Sequence, residues 1–409
     1  MGSRGVQEKI KKTTAKIKHF FIFLILARKI SKEKFERFSS RPYTGRMKKH
    51  GPFQLLVKPT SYDCNLSCGY CFYLKTRSLY PESSRHQMDL ETLERMIKQY
   101  LALGFALSVF IWQGGEPSLC GLDFFEKVIE LEKKYAQPGQ ELGNAFQTNG
   151  ILIDESWAEF FAKNNFLVGL SLDGPEPIHN YYRKTPSGKG SFERVWKAME
   201  LLRKKRVEFN VLCMVTRESS GQARQLYDFF QEARVRYLQF IPALELEPET
   251  KKLAEFSPTP QEYREFLIEL FELWWKDRYR VSIREFDWLL EPRKLQRPCV
   301  FSQRCSAYLV IEYNGDIYPC DFFVRKELLL GNLREKNSLR KSFLKRAKSF
   351  SPQKNWLSAD CRICPWLKFC YGGCLREREP KDNPDRKKSI YCYSYQGLFE
   401  RARAKLSVG

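Results

Sequence analysis

The sequence lacks an apolar segment long enough to span a membrane, and it lacks internal repeats and low-complexity tracts. The apolar run Phe20–Ala27 has eight residues, whereas a membrane-spanning helix needs about 20. Arg28 and Lys29 follow this run in place of a small-x-small cleavage site, which argues against a signal peptide. We therefore expect Phe20–Ala27 to form an amphipathic helix, either at a membrane surface or packed on a folded domain.

Acidic residues are scarce near the N-terminus. Residues 1–50 contain three acidic side chains against 15 Lys and Arg, so they carry +12 of the formal net charge of +22. Such an arm suits an anionic membrane, a nucleic acid or an acidic partner, although a solvated extension is the commoner case. We expect no nucleic acid partner, and at most a weak, salt-sensitive contact with a membrane surface.

The composition is typical of a globular protein, since 43% of the residues are hydrophobic and 14% are aromatic. A length of 409 residues allows roughly two to four domains, or one barrel with additions. Thirteen cysteines in so long a chain do not suggest a small disulfide scaffold, and their clustering indicates metal binding instead. Thiolates that hold a metal favour a reducing setting, so we expect a cytoplasmic protein.

Strand and helix patterns alternate from about residue 53 onward. Six short apolar stretches end in turn or polar residues and are predicted as buried strands: Gln54–Lys58, Ser108–Trp112, Asn144–Thr148, Leu167–Leu172, Glu208–Val215 and Tyr237–Ile241. Amphipathic helices are predicted at Leu90–Leu103, Asp123–Tyr135, Phe192–Lys205, Gly221–Ala233 and Gln261–Trp275. Repeated β-then-α units imply a parallel sheet with right-handed crossovers. The predicted fold class is therefore α/β, with a partial (β/α)6 TIM-like barrel whose chemistry lies at the carboxyl ends of the strands.

This pattern stops after the last predicted helix, and cysteines become dense from Cys299 onward. We place a domain boundary near residue 290. The predicted organisation is a basic extension at 1–50, a barrel domain at 51–290, a small Cys-rich domain at 291–400 and a tail at 401–409.

Three cysteines lie on one tight loop after the first predicted strand, at Cys64, Cys68 and Cys71. Three thiolates so close together can bind three irons of a [4Fe–4S] cubane, which leaves the fourth iron free for a substrate or cofactor. An electron carrier would need all four irons closed off, so this spacing favours catalysis. Zinc is the alternative metal, but a structural zinc site usually has four protein ligands.

The spacing Cys64-x3-Cys68-x2-Cys71, with Phe72 before Tyr73, resembles the signature of the radical S-adenosylmethionine superfamily. The resemblance implies that the open iron binds the amino and carboxylate groups of S-adenosyl-L-methionine. In that family, electron transfer to the bound sulfonium yields a 5′-deoxyadenosyl radical, which abstracts hydrogen from the substrate.

The loop at residues 113–117 (QGGEP) ends the next predicted strand and is similar to the Gly-Gly-Glu-Pro stretch of the family. Two glycines let a backbone approach a ligand closely, although a plain turn is the alternative. The resemblance implies contacts to the amino group of the cofactor from Gly114, Gly115 and Glu116. Ser171 and Arg183, near later strand ends, are further candidates for binding its carboxylate or ribose.

Eight further cysteines follow in the C-terminal quarter, which makes two full sets of four. This number suits two closed cubanes or two zinc sites. The spacings Cys299-x5-Cys305-x14-Cys320 and Cys361-x2-Cys364-x5-Cys370-x3-Cys374-x17-Cys392 resemble the SPASM extension of peptide-modifying radical enzymes. The resemblance implies one auxiliary cluster on Cys299, Cys305, Cys320 and Cys374, and a second on Cys361, Cys364, Cys370 and Cys392. The Cys-rich segment would then be an auxiliary-cluster domain, and the chain would hold three [4Fe–4S] clusters.

Within that group, Tyr73 and the segments at 112–117 (WQGGEP), 318–323 (YPCDFF) and 330–333 (LGNL) are similar to anaerobic sulfatase-maturating enzymes. Those enzymes oxidise an active-site Cys or Ser of a sulfatase to formylglycine. The resemblance implies that Tyr73 and Gln113 contact the peptide target. It also implies that Asp321 is the base that removes the thiol or hydroxyl proton, while the radical takes a β-hydrogen atom. A turn-capping role is the alternative for Asp321.

Two other functions stay open on the sequence alone. Another SPASM maturase would crosslink or epimerise a ribosomal peptide, although residues 1–50 look too short and too basic for a leader-binding domain. A non-enzymatic iron–sulfur electron carrier or scaffold would not cleave S-adenosylmethionine. The sulfatase interpretation implies an unfolded or nascent sulfatase polypeptide as substrate, and a low-potential electron donor such as flavodoxin or ferredoxin.

Overall fold

The computed structural model describes residues 52–81, 85–290, 292 and 297–407. The predicted basic extension, including Phe20–Ala27, lies outside the described residues. Within them, ten strands form one sheet in the order β10-β9-β8-β1-β2-β3-β4-β5-β6-β7. The strands are β1 Gln54–Lys58, β2 Leu107–Trp112, β3 Glu141–Thr148, β4 Leu167–Ser171, β5 Glu208–Val215, β6 Tyr237–Pro242, β7 Ser282–Ile283, β8 Tyr308–Glu312, β9 Asp316–Tyr318 and β10 Gly331–Asn332.

The six predicted strands are β1 to β6, and their bounds differ from the predicted ones by at most three residues. Each pairs in parallel with the next along the chain. Their side chains are largely buried because helices cover the outer face of the sheet, which is why they appear as short apolar runs in the sequence. The α/β fold class and the partial barrel are thereby confirmed.

Two strands extend the barrel beyond what the sequence pattern predicted. The two-residue strand β7 pairs in parallel with β6, and it is too short to produce a periodic signal. On the other side, β8 pairs in parallel with β1, so that Lys58 lies beside Glu312. The sheet therefore runs continuously across the boundary predicted near residue 290, and it joins the Cys-rich segment directly to the first strand.

Thirteen helices accompany these strands in the described residues. They are α1 Leu90–Leu101, α2 Leu122–Tyr135, α3 Glu155–Asn164, α4 Glu176–Tyr182, α5 Phe192–Lys204, α6 Arg217–Ser220, α7 Ala223–Glu232, α8 Pro260–Asp277, α9 Arg284–Leu290, α10 Ser338–Ser349, α11 Ala359–Ile363, α12 Leu367–Cys370 and α13 Cys392–Ser407. Side-chain caps fix several N-termini: the Asp89 carboxylate accepts the Thr92 N–H of α1, and Thr259 forms a capping box with Glu262 at α8. No described helix is both long enough and apolar enough to cross a membrane.

The buried apolar side chains form two main clusters, each between the sheet and the helices that cover it. One packs α1, α2 and α3 against β1 to β4 and includes Phe110 and Trp157. The other packs α7, α8 and α13 against β5 and β6 and includes Phe240 and Trp274. Helix α13 thus carries the end of the Cys-rich segment onto the barrel, since the Arg264 guanidinium of α8 donates to the Tyr393 carbonyl at 2.8 Å. It continues to Ser407, through the tail predicted from residue 401.

Candidate active site

A cavity of about 1710 Å³ runs through the barrel, from the carboxyl ends of the strands to Arg236 and Ser282 at the opposite end. The loop after β1 contributes Cys64, Cys68 and Cys71 to its wall, and the Cys-rich segment contributes Cys299, Cys320 and Cys374. Two of the three predicted cysteine sets therefore contribute side chains to the wall of one cavity. Its position at the carboxyl ends of parallel strands is where barrel enzymes place their chemistry.

The loop that carries the first three cysteines is fixed by hydrogen bonds at both ends. The Ser67 amide donates to the Lys184 carbonyl at 2.7 Å, and the Glu116 amide donates to the Asp63 carbonyl at 2.8 Å. Two N–H groups point at the Cys64 Sγ atom, from the Leu66 amide at 3.4 Å and the Asn149 side chain at 3.5 Å. Amide donors around sulfur atoms are a feature of iron–sulfur sites.

The chemistry of this donor set fits an iron–sulfur cluster. Three half-buried sulfurs on one loop are soft ligands of the kind that iron–sulfur clusters use. Burial raises the pKa of Cys64 to about 12 and that of Cys68 to about 11, so a metal must displace the thiol protons. In the described residues, no three Cys, His, Asp or Glu side chains are arranged to hold one metal ion.

The two glycines of the loop after β2 were expected to let the backbone approach a ligand, but in the structure they lie against another segment of backbone. A Cβ atom on Gly115 would lie 2.0 Å from the Asp63 carbonyl oxygen, and one on Gly114 would lie 2.6 Å from the Ser61 carbonyl oxygen. The backbone that these glycines approach is therefore that of the cysteine loop. Both glycines also line the cavity, so the cofactor contact predicted for them is compatible with this packing.

Glu116 is fully buried and does not line the cavity. One carboxylate oxygen accepts from the Ser118 amide at 3.1 Å and from the Thr148 hydroxyl at 2.9 Å, and the other accepts from the Asn149 amide at 2.8 Å. These bonds tie the end of β2 to the end of β3. In this structure the Glu116 side chain is occupied by protein donors, and the contact predicted for it with the cofactor remains a prediction.

Ser171 and Arg183 both line the cavity, and both have protein partners. The Ser171 hydroxyl accepts from the Gln147 side chain at 3.0 Å. The Arg183 guanidinium donates to Asp173 at 2.8 and 3.2 Å, and that carboxylate also accepts from the Tyr70 hydroxyl. Arg183 also places a positive charge next to Cys68, which suits a site that gains negative charge when a cluster binds.

Asp321, Tyr73 and Gln113 meet at the cavity wall, as their predicted roles require. The Tyr73 hydroxyl donates to Asp321 Oδ2 at 2.7 Å. The Gln113 side-chain amide donates to the Tyr73 oxygen at 2.6 Å and approaches Asp321 Oδ2 at 3.5 Å. Three residues that lie far apart in the sequence are thus joined in one hydrogen-bonded group beside the cysteine loop.

Two charged residues of this group, Lys58 and Glu312, were not predicted from the sequence. Lys58 Nζ lies 3.0 Å from Asp321 Oδ1 and 3.3 Å from Glu312 Oε1, and all three side chains are almost fully buried. Burial lowers the pKa of Lys58, but the facing carboxylates of Asp321 and Glu312 outweigh it and hold that pKa above its usual value. A sequence signal for them was present, because each is a charged residue that ends an otherwise apolar strand: Lys58 ends β1 (QLLVK) and Glu312 ends β8 (YLVIE).

The other eight cysteines fall into two groups in space. Burial raises the pKa of Cys320, and the nearby thiols of Cys374, Cys299 and Cys305 raise it further. Burial likewise raises the pKa of Cys392 to about 12, together with Cys370, Cys361 and Cys364. These neighbours are the two sets of four that the resemblance implied. The second set lines a separate cavity of about 520 Å³.

Comparisons with known proteins show which families the chain resembles. The model of the Radical SAM superfamily matches residues 59–230, and the model of an iron–sulfur cluster-binding domain, SPASM, matches residues 299–365. A cysteine-type anaerobic sulfatase-maturating enzyme of Clostridium perfringens (strain 13 / Type A) is 41% identical over 360 residues, which cover 87% of this chain and 97% of that protein.

Two further comparisons cover most of the chain. A serine-type anaerobic sulfatase-maturating enzyme of Bacteroides thetaiotaomicron is 36% identical, over 80% of this chain and 83% of that protein. A solved structure of native anSMEcpe, with AdoMet and the Cp18Cys peptide bound, superposes with a TM-score of 0.80 at 39% identity. That match covers 88% of this chain and 98% of the solved chain.

Proposed function

Because the chain belongs to the anaerobic sulfatase-maturating enzymes of the radical SAM superfamily, we propose that it oxidises an active-site cysteine of a sulfatase to formylglycine. Cysteine is chosen over serine because the cysteine-type relative is more similar, at 41% against 36% identity. The observation that carries the proposal is the group formed by Asp321, Tyr73 and Gln113 at the wall of the cavity that also holds the cysteine loop.

The cofactors are S-adenosylmethionine and three [4Fe–4S] clusters. Cys64, Cys68 and Cys71 would hold the catalytic cluster, and Gly114, Gly115, Glu116, Ser171 and Arg183 are the proposed contacts of S-adenosylmethionine. The first auxiliary cluster would lie on Cys299, Cys305, Cys320 and Cys374, and the second on Cys361, Cys364, Cys370 and Cys392. When bound, the reduced cluster and S-adenosylmethionine supply a carbon-centred radical that takes a hydrogen atom from the β-carbon of the target residue.

The residues of the chain then handle the proton. Oxidation of the target cysteine would transfer one hydrogen atom to the radical, one proton to a base of the chain and one electron to an iron–sulfur cluster, and hydrolysis of the resulting thioaldehyde would give the aldehyde and hydrogen sulfide. Asp321 would accept the thiol proton at a carboxylate oxygen, because an ionised carboxylate has about four lone-pair sites and Tyr73, Gln113 and Lys58 occupy three of them. Tyr73 and Gln113 would orient the target at the same point.

Replacing Asp321 by Asn tests this function, since Asn has a similar shape but does not accept a proton at neutral pH. Positioned bases typically contribute about 10²–10⁴-fold, so the variant should lose formylglycine formation by that order. It should still cleave S-adenosylmethionine, because that step does not use the proton. The assay is anaerobic incubation with a Cys-x-Pro-x-Arg peptide, with aldehyde read by mass and 5′-deoxyadenosine counted in parallel.

A Ser-x-Pro-x-Arg peptide serves as the matched substrate control. Faster oxidation of this peptide by the wild type would reverse the choice of cysteine. No aldehyde on either peptide, with another modification on a ribosomal peptide, would replace the proposal with another SPASM maturation reaction. If Asp321→Asn matches the wild-type rate of aldehyde formation, the base lies elsewhere.

The same proposal covers the form of the substrate, the electron donor, the N-terminal extension and the domain bounds. The substrate is a peptide segment, as it is for the relative whose peptide complex is known, and we propose that it is presented by an unfolded or nascent sulfatase. A low-potential flavodoxin or ferredoxin would supply electrons in the cytoplasm. Residues 1–50 would add weak contact with an anionic membrane surface. The division at residues 51–290 and 291–400 remains a proposal, since strands β1 and β8 pair across it.

A further inference from the structure

Lys58 lies next to three of the proposed functional residues, Asp321, Tyr73 and Gly114. Its ammonium lies 3.0 Å from Asp321 Oδ1 and 4.5 Å from the centroid of the Tyr73 ring. Its Cβ and Cγ atoms lie 3.2 and 3.3 Å from the point where Gly114 would carry a Cβ. One side chain therefore links the proposed base, a proposed substrate contact and the proposed cofactor loop.

The backbone near Asp321 does not by itself fix the orientation of its carboxylate. Asp321 begins a single turn of 3-10 helix at Asp321–Phe323, and rotation about the terminal side-chain bond of an aspartate is broad. Two contacts define the plane of the Asp321 carboxylate. The Tyr73 hydroxyl donates to Oδ2 at 2.7 Å, and Lys58 Nζ forms an ion pair with Oδ1 at 3.0 Å. Without the ammonium, only one oxygen would keep a partner within 3 Å.

Glu312 holds the ammonium in turn. It lies beside Lys58 on the neighbouring strand β8, with its Oε1 atom 3.3 Å from Lys58 Nζ and its side chain fully buried. Lys58 is thus held between a carboxylate of the sheet and the carboxylate of the proposed base. Buried ion pairs are often replaceable by apolar side chains without loss of stability. This pair lies directly behind Asp321, which lines the cavity, and that position favours a role in the reaction.

We infer that Lys58, supported by Glu312, is a positioning residue that orients the Asp321 carboxylate toward the target residue. The inference rests on the proposed function. Lys58 lies at the end of β1, six residues before Cys64, so the same strand sets the position of the cysteine loop and of the proposed base. The proton acceptor and the origin of the radical would therefore keep a constant separation.

The double substitution K58M/E312M tests this role without leaving an unpaired charge at Glu312. A displacement of about 1 Å in a catalytic group can cost about 10²-fold, so kcat for formylglycine should fall by that order. KM for the peptide should change by less than about threefold, because the peptide contacts stay in place. Iron content and 5′-deoxyadenosine formation should remain at the wild-type level, so aldehyde formed per 5′-deoxyadenosine should fall. K58R keeps the positive charge and should recover kcat to within about tenfold of the wild type.

A surface ion pair of the same residue types provides the control. Lys127 and Glu130 lie 2.8 Å apart on helix α2, and K127M/E130M should change neither product. Wild-type yield of aldehyde per 5′-deoxyadenosine in K58M/E312M would overturn the inference. So would a parallel loss of iron and of both products, which would assign Lys58 a structural role. If the wild type itself makes no aldehyde, the proposed function fails, and this inference fails with it.

Discussion

Gly115 is a position where a single added methyl group should displace the cysteine loop. In Gly115→Ala the added Cβ would lie 2.0 Å from the Asp63 carbonyl oxygen and 2.6 Å from the Tyr62 carbonyl carbon. Both atoms are backbone, so they cannot rotate away as a flexible side chain could. Restoring a normal carbon–oxygen contact needs a shift of about 1 Å in the segment immediately before Cys64.

The destabilisation expected from Gly115→Ala has two parts, weakened backbone hydrogen bonds and steric overpacking. The Gly115 amide donates to the Ser61 carbonyl, and the Glu116 amide donates to the Asp63 carbonyl, both at 2.8 Å. Each such bond contributes about 1 kcal/mol, and overpacking a tight site adds about 1–3 kcal/mol. We expect Gly115→Ala to lower the free energy of unfolding by about 3–5 kcal/mol.

The same displacement should weaken the catalytic cluster. After anaerobic reconstitution the variant should hold about eight irons per chain instead of about twelve, since one cubane of three is lost, and it should cleave little S-adenosylmethionine. Gly221→Ala is the matched control. Gly221 has a φ of −80° and open space where a Cβ would be, so alanine should be neutral or stabilise by up to about 1 kcal/mol. Full iron content and wild-type stability in Gly115→Ala would refute the reasoning.

Two further predictions concern the cysteines and a buried acid. Replacing Cys64, Cys68 and Cys71 together by Ala should remove about a third of the iron and abolish S-adenosylmethionine cleavage, whereas Cys213→Ala, in buried strand β5, should leave both unchanged; cleavage by the triple variant would contradict the assignment. Burial raises the pKa of Glu132 from 4.5 to about 8, so stability should fall as pH rises between these values, because the unfolded chain releases this proton first. Glu132→Gln should remove that dependence and gain roughly 2–5 kcal/mol over the wild type between pH 5 and pH 8 in chemical denaturation; equal pH profiles would show that Glu132 is already ionised in the folded protein.

The barrel could be predicted from the sequence because each of its six strands is a short apolar run followed by a turn. Strand β7, with two residues, leaves no such pattern. The pairing of β8 with β1 is a tertiary contact, and local periodicity carries no information about it. The barrel predicted from the sequence therefore ends at β6, and it lacks the connection between the Cys-rich segment and β1.

In the candidate site, too, features with a local sequence pattern could be predicted and tertiary contacts could not. The cysteine loop is recognisable because all its ligands lie within eight residues, Cys64 to Cys71. The contact of Lys58 with Asp321 depends on two strands that meet only in the folded sheet. The glycines were expected to approach a ligand, but the closest backbone to them is the cysteine loop itself, because a Gly-Gly pair indicates a close approach without indicating its partner.

The pairing of β1 with β8 also sets the order of events during synthesis. Gln54 leaves the ribosome early, yet its partner Tyr308 follows roughly 250 residues later, which at about 5–20 residues per second is roughly 10–50 s. During that interval β1 has an unpaired edge, and such edges recruit strands from other chains. Nascent chains that stall before β8 are therefore the ones most exposed to aggregation, and a chaperone that shields this edge should raise the yield of soluble enzyme.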